Sequence, residues 1–330
     1  MLILGCILVL ITLFLLIKRY EARMVLVAAG IVMCACAGNP MAALNSFAKG
    51  MGSSMISSAC SSMGFALVMR FTGCDKHLIN FLAKGLTKVH FLIIPGVVLA
   101  TFAVNMALPS AAGTAAAAGA IFIPIMMGAG IHPAMAAAAV KCGTYGSMLN
   151  PGLAHNPFVA KIAGVGVMDV IAFHYKANLA SLVIAAITIT VIAYMTHENK
   201  DHFAEGLELE ENFKVNYLYA LMPIIPIAIL LLGATKIVPI FKMGVAQAMI
   251  IGCILALAVT RTNPAELTKS FFDGMGKAYA DIIGIIISAG VFVAGMNAMG
   301  LVKAFTNAML NNPAIVKIAA SVGPFLLGLI

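Results

Sequence analysis

Eleven long apolar runs, joined by short connectors, leave this chain few ways to fold. They fall at about 2–17, 24–38, 53–72, 91–108, 111–128, 133–149, 171–195, 215–233, 238–259, 278–299 and 314–330. A helix of about 20 apolar residues crosses the hydrocarbon core of a bilayer. Barrel strands would instead alternate polar and apolar residues. With 62% of residues apolar and 10% charged, the chain has too little polar surface for water. The composition excludes a soluble enzyme, a disordered chain and a nucleic-acid binder. It predicts an all-α polytopic membrane protein.

The formal charge of +8 does not alter this reading. The 20 Lys and Arg residues lie mostly singly or in pairs between apolar runs, where they set membrane orientation. No basic residue precedes the first run, while Lys18, Arg19 and Arg23 follow it. That pattern predicts a first transmembrane helix with its N-terminus outside, rather than a cleaved signal. The seven cysteines form no CxxC pair and no ligand cluster with histidine, so neither a disulfide framework nor a metal site is expected.

One stretch, residues 196–214, is clearly hydrophilic and holds six of the twelve acidic residues. It reads as a linker between two halves, because the sequence repeats weakly across it. FAKGMG at 47–52 matches FFDGMG at 271–276, and SMGFALVM at 62–69 aligns with SAGVFVAG at 288–295. Symmetry of this kind is characteristic of secondary transporters. The predicted organisation is a first membrane repeat at 1–195, the linker, and an incomplete second repeat at 215–330. Within the first repeat, 91–128 reads as a re-entrant hairpin broken at Leu108–Pro109, and 133–165 as a broken helix. Five crossings then precede the linker, an odd number, which makes the repeats inverted. Twelve basic residues, Arg70 among them, fall inside under this topology and seven outside, with Lys141 embedded.

Two motifs carry the candidate chemistry. In the first, Asn105–Thr114 (NMALPSAAGT), Pro109 stops one helix and Ser110 caps the next, which opens with Gly113 and Thr114. The free N–H groups of that first turn suit an anion. The alternative is a proline kink in an ordinary membrane helix. In the second, Lys141–Pro157 (KCGTYGSMLNPGLAHNP), a small-residue helix breaks at Asn150-Pro151-Gly152 and restarts at Asn156-Pro157. This is an unwound segment facing a site, or else an extramembrane loop. Paired Pro/Gly-interrupted apolar segments are the best sequence pointer to a transporter site. Lys141 marks a pathway or substrate contact, or snorkels to the interface. His155 either meets a carboxylate or proton, or caps a backbone carbonyl. His174 reads as an interfacial anchor. No phosphate-binding loop GxxxxGK[ST], potassium-filter TVGYG or HExxH motif is present, which argues against an ATP-driven pump, a channel of that type or a hydrolase.

These stretches give the chain a resemblance to the anaerobic four-carbon dicarboxylate carriers of the DcuC type, within the ion-transporter superfamily. The resemblance rests on MALPSAAGT (106–114), IFIPIMMGAGIHPAMAAAAV (121–140) and GTYGSMLNPGLAHNPFVAKIAG (143–164), and more loosely on 271–300. It implies an inverted-repeat secondary carrier for succinate, fumarate, malate or aspartate in a bacterial inner membrane, without enzymatic activity. It implies substrate contacts at Ser110, Gly113 and Thr114 of the hairpin tip and at Thr144, Ser147, Asn150, Gly152 and Asn156 of the broken helix. Asn105, Lys141 and His155 complete the candidate set. It implies no cofactor beyond a coupling ion, sodium or proton, and a homodimer as the assembly. Family members extend further, so the second hairpin tip would lie beyond Ile330 and this chain would supply half a site. The other function classes are a carrier for another organic anion, a cation/proton antiporter and a non-transporting membrane scaffold.

Overall fold

The computed structural model describes residues 1–52, 55–86, 92–200, 202, 213–234, 243–310 and 322, and no strand occurs among them. The apolar run at 314–330 lies almost wholly outside the described residues, and so does the interior of the linker at 203–212. The chain runs through α1 (Leu2–Ile17), α2 (Ala22–Cys36), α3 (Pro40–Met51), α4 (Met55–Phe71), α5 (Cys74–Leu86), α6 (Ile93–Ala107), α7 (Ala111–Gly128) and α8 (Pro133–Gly143). It continues through α9 (His155–Ala163), α10 (Val167–Met195), α11 (Tyr217–Leu221), α12 (Ile225–Ala234), α13 (Val245–Thr260), α14 (Pro264–Ala278), α15 (Gly284–Ala298) and α16 (Leu301–Leu310). A π-helical turn at Tyr279–Ile283 joins α14 to α15. The chain is an all-α, multi-pass membrane protein.

Among the described residues, three helical stretches are long and apolar enough to cross a bilayer by themselves: α7, α10 and the α14–α15 pair. Six shorter apolar helices accompany them among the described residues. The segment expected as a hairpin forms two helices, α6 and α7, with the break at Leu108–Ser110. The 15 residues of α6 reach only about 22 Å at 1.5 Å per residue, short of the roughly 30 Å hydrocarbon core. Among the described residues, α3, α5, α9, α14 and α16 fall outside the apolar runs. Both α3, with Lys49, and α5, with Asp75, Lys76 and Lys84, mix charged and apolar residues. The 215–233 run is split into α11 and α12, because Pro223 and Pro226 interrupt the backbone ladder.

The chain forms two compact units. The first comprises 1–53 with 279–330, the second 54–278. In the first, α2 and α3 both pack on α15. A Cβ on Gly30 would lie 2.5 Å from the Val291 carbonyl oxygen, so only glycine admits that approach. Ser46 Oγ donates to the Gly290 carbonyl at 3.0 Å. In the second, α4 packs on α14 and α13. A Cβ on Gly274 would lie 2.7 Å from Gly64 Cα. Lipid gives helices little hydrophobic reason to associate, so close backbone approach at small residues supplies the packing. Phe65, Met69, Val97, Val98, Phe122 and Met126 fill the core of this unit and hold α4, α6 and α7 in place. The unit boundaries at Ser54 and Tyr279 lie 225 positions apart.

Candidate functional site at the hairpin tip and the helix break

The tip is built by local chemistry. α6 ends at Leu108, where the backbone turns extended because the following proline disfavours helix. Ser110 N–H then donates to the Leu108 carbonyl at 2.7 Å, closing a tight turn around Pro109. Ser110 Oγ accepts from Gly113 N at 3.2 Å and caps α7. The amides of Ala111 and Ala112, both at exposed positions, lie in the turn that has no intrahelical acceptor.

The break is equally local. α8 ends at Gly143, a single 3-10 turn follows at Gly146–Leu149, and Asn150 is extended ahead of Pro151. The chain restarts as helix at His155. Asn150 Oδ1 accepts from Gly152 N at 2.7 Å and closes the turn. Ser62 of α4 stands so close that a Cβ on Gly152 would overlap its Oγ and Cβ. Ser62 Oγ is buried without a hydrogen-bond partner, as is Thr101 Oγ1 of α6.

Three buried asparagines join tip and break into one structure. Asn105 Oδ1 accepts from Ser147 N at 2.7 Å, while its Nδ2 donates to the Leu108 carbonyl and to Thr114 Oγ1, both at 3.2 Å. Asn150 Nδ2 donates to the Met106 carbonyl at 2.8 Å. Asn156 Nδ2 donates to the Met148 and Asn150 carbonyls, both at 2.9 Å. These amides satisfy backbone groups that the interrupted helices leave open.

The structure therefore brings Asn105, Ser110, Gly113, Thr114, Ser147, Asn150, Gly152 and Asn156 together. Thr144 lies at the edge, where its Oγ1 donates to the Lys141 carbonyl at 2.7 Å. Lys141 and His155 are exposed on the surface of the unit and have no hydrogen-bonded side-chain partner among the described residues.

Two residues that sequence reasoning placed elsewhere belong to this region. Arg70, counted as an orientation marker, ends α4 with its guanidinium against Gly113. A Cβ there would overlap Nη2 and lie 2.9 Å from Cζ. Among the described residues it meets no carboxylate within ion-pair distance. His174 of α10 hydrogen-bonds Asn156. Neither pairing has a signal in a single sequence, because the partners are 43 and 18 positions apart. Asp75, on the amphipathic α5 outside the apolar spans, has its carboxyl pushed up by burial, with the Arg70 charge and the Lys76 amide pulling the other way.

Comparison with known proteins places this architecture. The family model for the C4-dicarboxylate anaerobic carrier DcuC matches residues 63–326. The chain belongs to this family. It is a family of carriers, not enzymes. The chain is 38% identical over 195 residues to a putative uncharacterized transporter of Haemophilus influenzae, covering 56% of this chain and 70% of that protein. It is 49% identical over 126 residues to a second putative uncharacterized transporter of that organism, covering 38% and 87%. To the anaerobic C4-dicarboxylate transporter DcuC of Escherichia coli K12 it is 22% identical over 253 residues, covering 73% and 54%. The chain thus spans about half the length of the DcuC protein it matches.

Proposed function

We propose that this chain carries the substrate-binding core of a secondary transporter for four-carbon dicarboxylates such as succinate and fumarate, in a bacterial cytoplasmic membrane. The observation that carries the reading is the pairing of Arg70 with the start of α7. A guanidinium and the positive end of a helix repel one another unless an anion lies between them. A carboxylate there would take the fork of Arg70 on one side and the amides of Ala111 and Ala112 on the other. The Ser110 and Ser147 hydroxyls stand ready as neutral donors, cheap to leave empty and strong toward an anion.

Repeat-related contacts support an inverted-repeat carrier. Gly274 meets Gly64 in one unit, and Gly50 lies against Ile287 in the other, with Ser46 bonded to Gly290. Under the 224–226 shift Gly274 corresponds to Gly50 and Gly64 to Gly290, and the unit boundaries repeat at the same spacing. Each unit then combines helices from both repeats.

Counterflow of radiolabelled succinate into proteoliposomes tests the reading. Exchange is expected from this chain extended by the C-terminal part of a longer family member, and is lost on Ser110→Ala or Arg70→Gln. Exchange that ignores dicarboxylates and follows another anion or a cation instead would refute it.

A further inference from the structure

The first unit has a cavity of its own. Its volume is about 570 Å³, within the roughly 300–1,000 Å³ of sites that take small organic ligands. The lining residues come from α2, α3, the π-helical turn and the start of α15. α2 contributes Arg23, Val27 and Ile31, one helix face at four-residue spacing, and α3 adds Phe47 and Met51 in the same way. From Arg23 to Ile31 the groove follows α2 for about 12 Å, most of one leaflet of a roughly 30 Å hydrocarbon core.

The groove is amphipathic along its length. Its body is apolar, with Ile287 of α15 in the wall. Ser288 also lines it, but its hydroxyl donates to the Gly284 carbonyl at 2.8 Å and offers a ligand little. The polar groups gather at one end, where Arg23 opens α2 and Tyr279 and Ala280 begin the π-helical turn. Turns of this kind inside a longer helix often sit at functional sites. Arg23 is held there from two sides. Its Nη1 donates to the Ala280 carbonyl at 2.9 Å, and its Nε donates to Glu21. The other Glu21 oxygen caps α2 by accepting from Met24 N at 2.7 Å. Nη2 makes no hydrogen bond among the described residues, so one edge of an exposed, already positioned guanidinium is open.

We propose that this groove binds an anionic phospholipid, with one acyl chain along Val27, Ile31, Phe47 and Ile287 and the headgroup phosphate at Arg23. The proposal rests on the chain spanning a membrane, not on what it carries. At this depth an open apolar groove meets lipid tails rather than water. The connector from α1 to α2 and the π-helical turn set the charge at the polar end. Lys18, Arg19 and Arg23 face Glu21 and Asp281 there, three basic groups against two acidic ones, which leaves a net charge of +1. A phosphate is favoured over a neutral head, and the fixed Arg23 loses little side-chain freedom in meeting it.

The chain contains no tryptophan, so Ile31→Trp places a single fluorophore in the groove. Ile187→Trp, on the exposed face of α10, reports on bulk lipid. Each protein is reconstituted in phosphatidylcholine vesicles with rising fractions of dibrominated phosphatidylglycerol or dibrominated phosphatidylcholine, whose bromines quench indole on contact. In the Ile31→Trp protein phosphatidylglycerol should quench at about one-fifth of the fraction that phosphatidylcholine needs, the preference one basic side chain gives near a membrane surface. In the Ile187→Trp protein the two lipids should quench alike. Adding Arg23→Gln to Ile31→Trp should make the two lipids equal and leave quenching itself in place, because the apolar wall is intact. Fluorescence of Ile31→Trp that neither lipid quenches would mean that a second copy or another polypeptide segment fills the groove, and overturns the proposal. Equal quenching with Arg23 present overturns it too, as does a preference that survives Arg23→Gln. Native mass spectrometry of the chain without tryptophan, released from vesicles holding both lipids equally, guards against a disturbed groove. Phosphatidylglycerol adducts should exceed phosphatidylcholine adducts, and Arg23→Gln should remove the excess. The same adduct ratio in both proteins would contradict the assignment.

Discussion

Removing the Asn105 side chain tests whether hairpin tip and helix break are one structure. Asn105 is fully buried and makes three bonds. In Asn105→Ala the Leu108 carbonyl still has Thr114 Oγ1 at 3.3 Å, and the Thr114 hydroxyl can rotate. Ser147 N–H has no such substitute, since its acceptor at 2.7 Å is Asn105 Oδ1. An orphaned buried donor costs about 1–3 kcal/mol, so exchange at the Ser147 amide should rise roughly five- to a hundredfold. The Thr144 amide, bonded to the Lys141 carbonyl at 3.1 Å, is the internal control and should not change. Hydrogen–deuterium exchange resolved at 143–150 reads both. Unchanged protection at Ser147 would refute the coupling of tip and break. Equal loosening of Thr144 and Ser147 would show global unfolding instead.

Arg70→Gln should abolish succinate binding in an equilibrium assay, and Arg70→Lys should restore little of it, because an ammonium lacks the planar fork that clasps a carboxylate. Gly152→Ala forces a methyl group into Ser62 and should cost about 1–3 kcal/mol of stability. Adding Ser62→Gly should recover part of that loss, and a double-mutant cycle of unfolding midpoints in detergent measures the recovery. Burial raises the Asp75 carboxyl, so the folded chain binds that proton more tightly than the unfolded one, and stability falls as pH rises through the raised value. Asp75→Asn should therefore be more stable than the native chain at pH 8. The advantage should vanish below about pH 4, the ordinary carboxylate range, in thermal unfolding at both pH values.

What could be read from the sequence was what local chemistry decides. Pro109 after Leu108 and Ser110 before Ala111 fix the hairpin tip, and the 111–128 run coincides with α7. Asn150-Pro151-Gly152 fixes the break in the same way. α3, α5, α14 and α16 escaped because amphipathic helices do not show as apolar runs. The asparagines were legible as unusual residues at membrane depth, but not as partners of Ser147 N or the Met106 carbonyl, since those bonds join segments more than 40 positions apart. The contacts of Arg70 and His174 were hidden for a related reason. An arginine at the end of a helix and a histidine near the start of one look alike whether they face lipid headgroups or a buried amide, and only the fold of α4 and α10 decides.

The central claim is that a dicarboxylate binds between Arg70 and the start of α7. Isothermal titration of the purified chain with succinate tests it most directly, against Ser110→Ala and Arg70→Gln proteins whose helical circular dichroism matches the native chain. The account predicts saturable binding by the native chain and none by either variant. Folded native protein that binds no succinate, or binding that survives both substitutions, would contradict it.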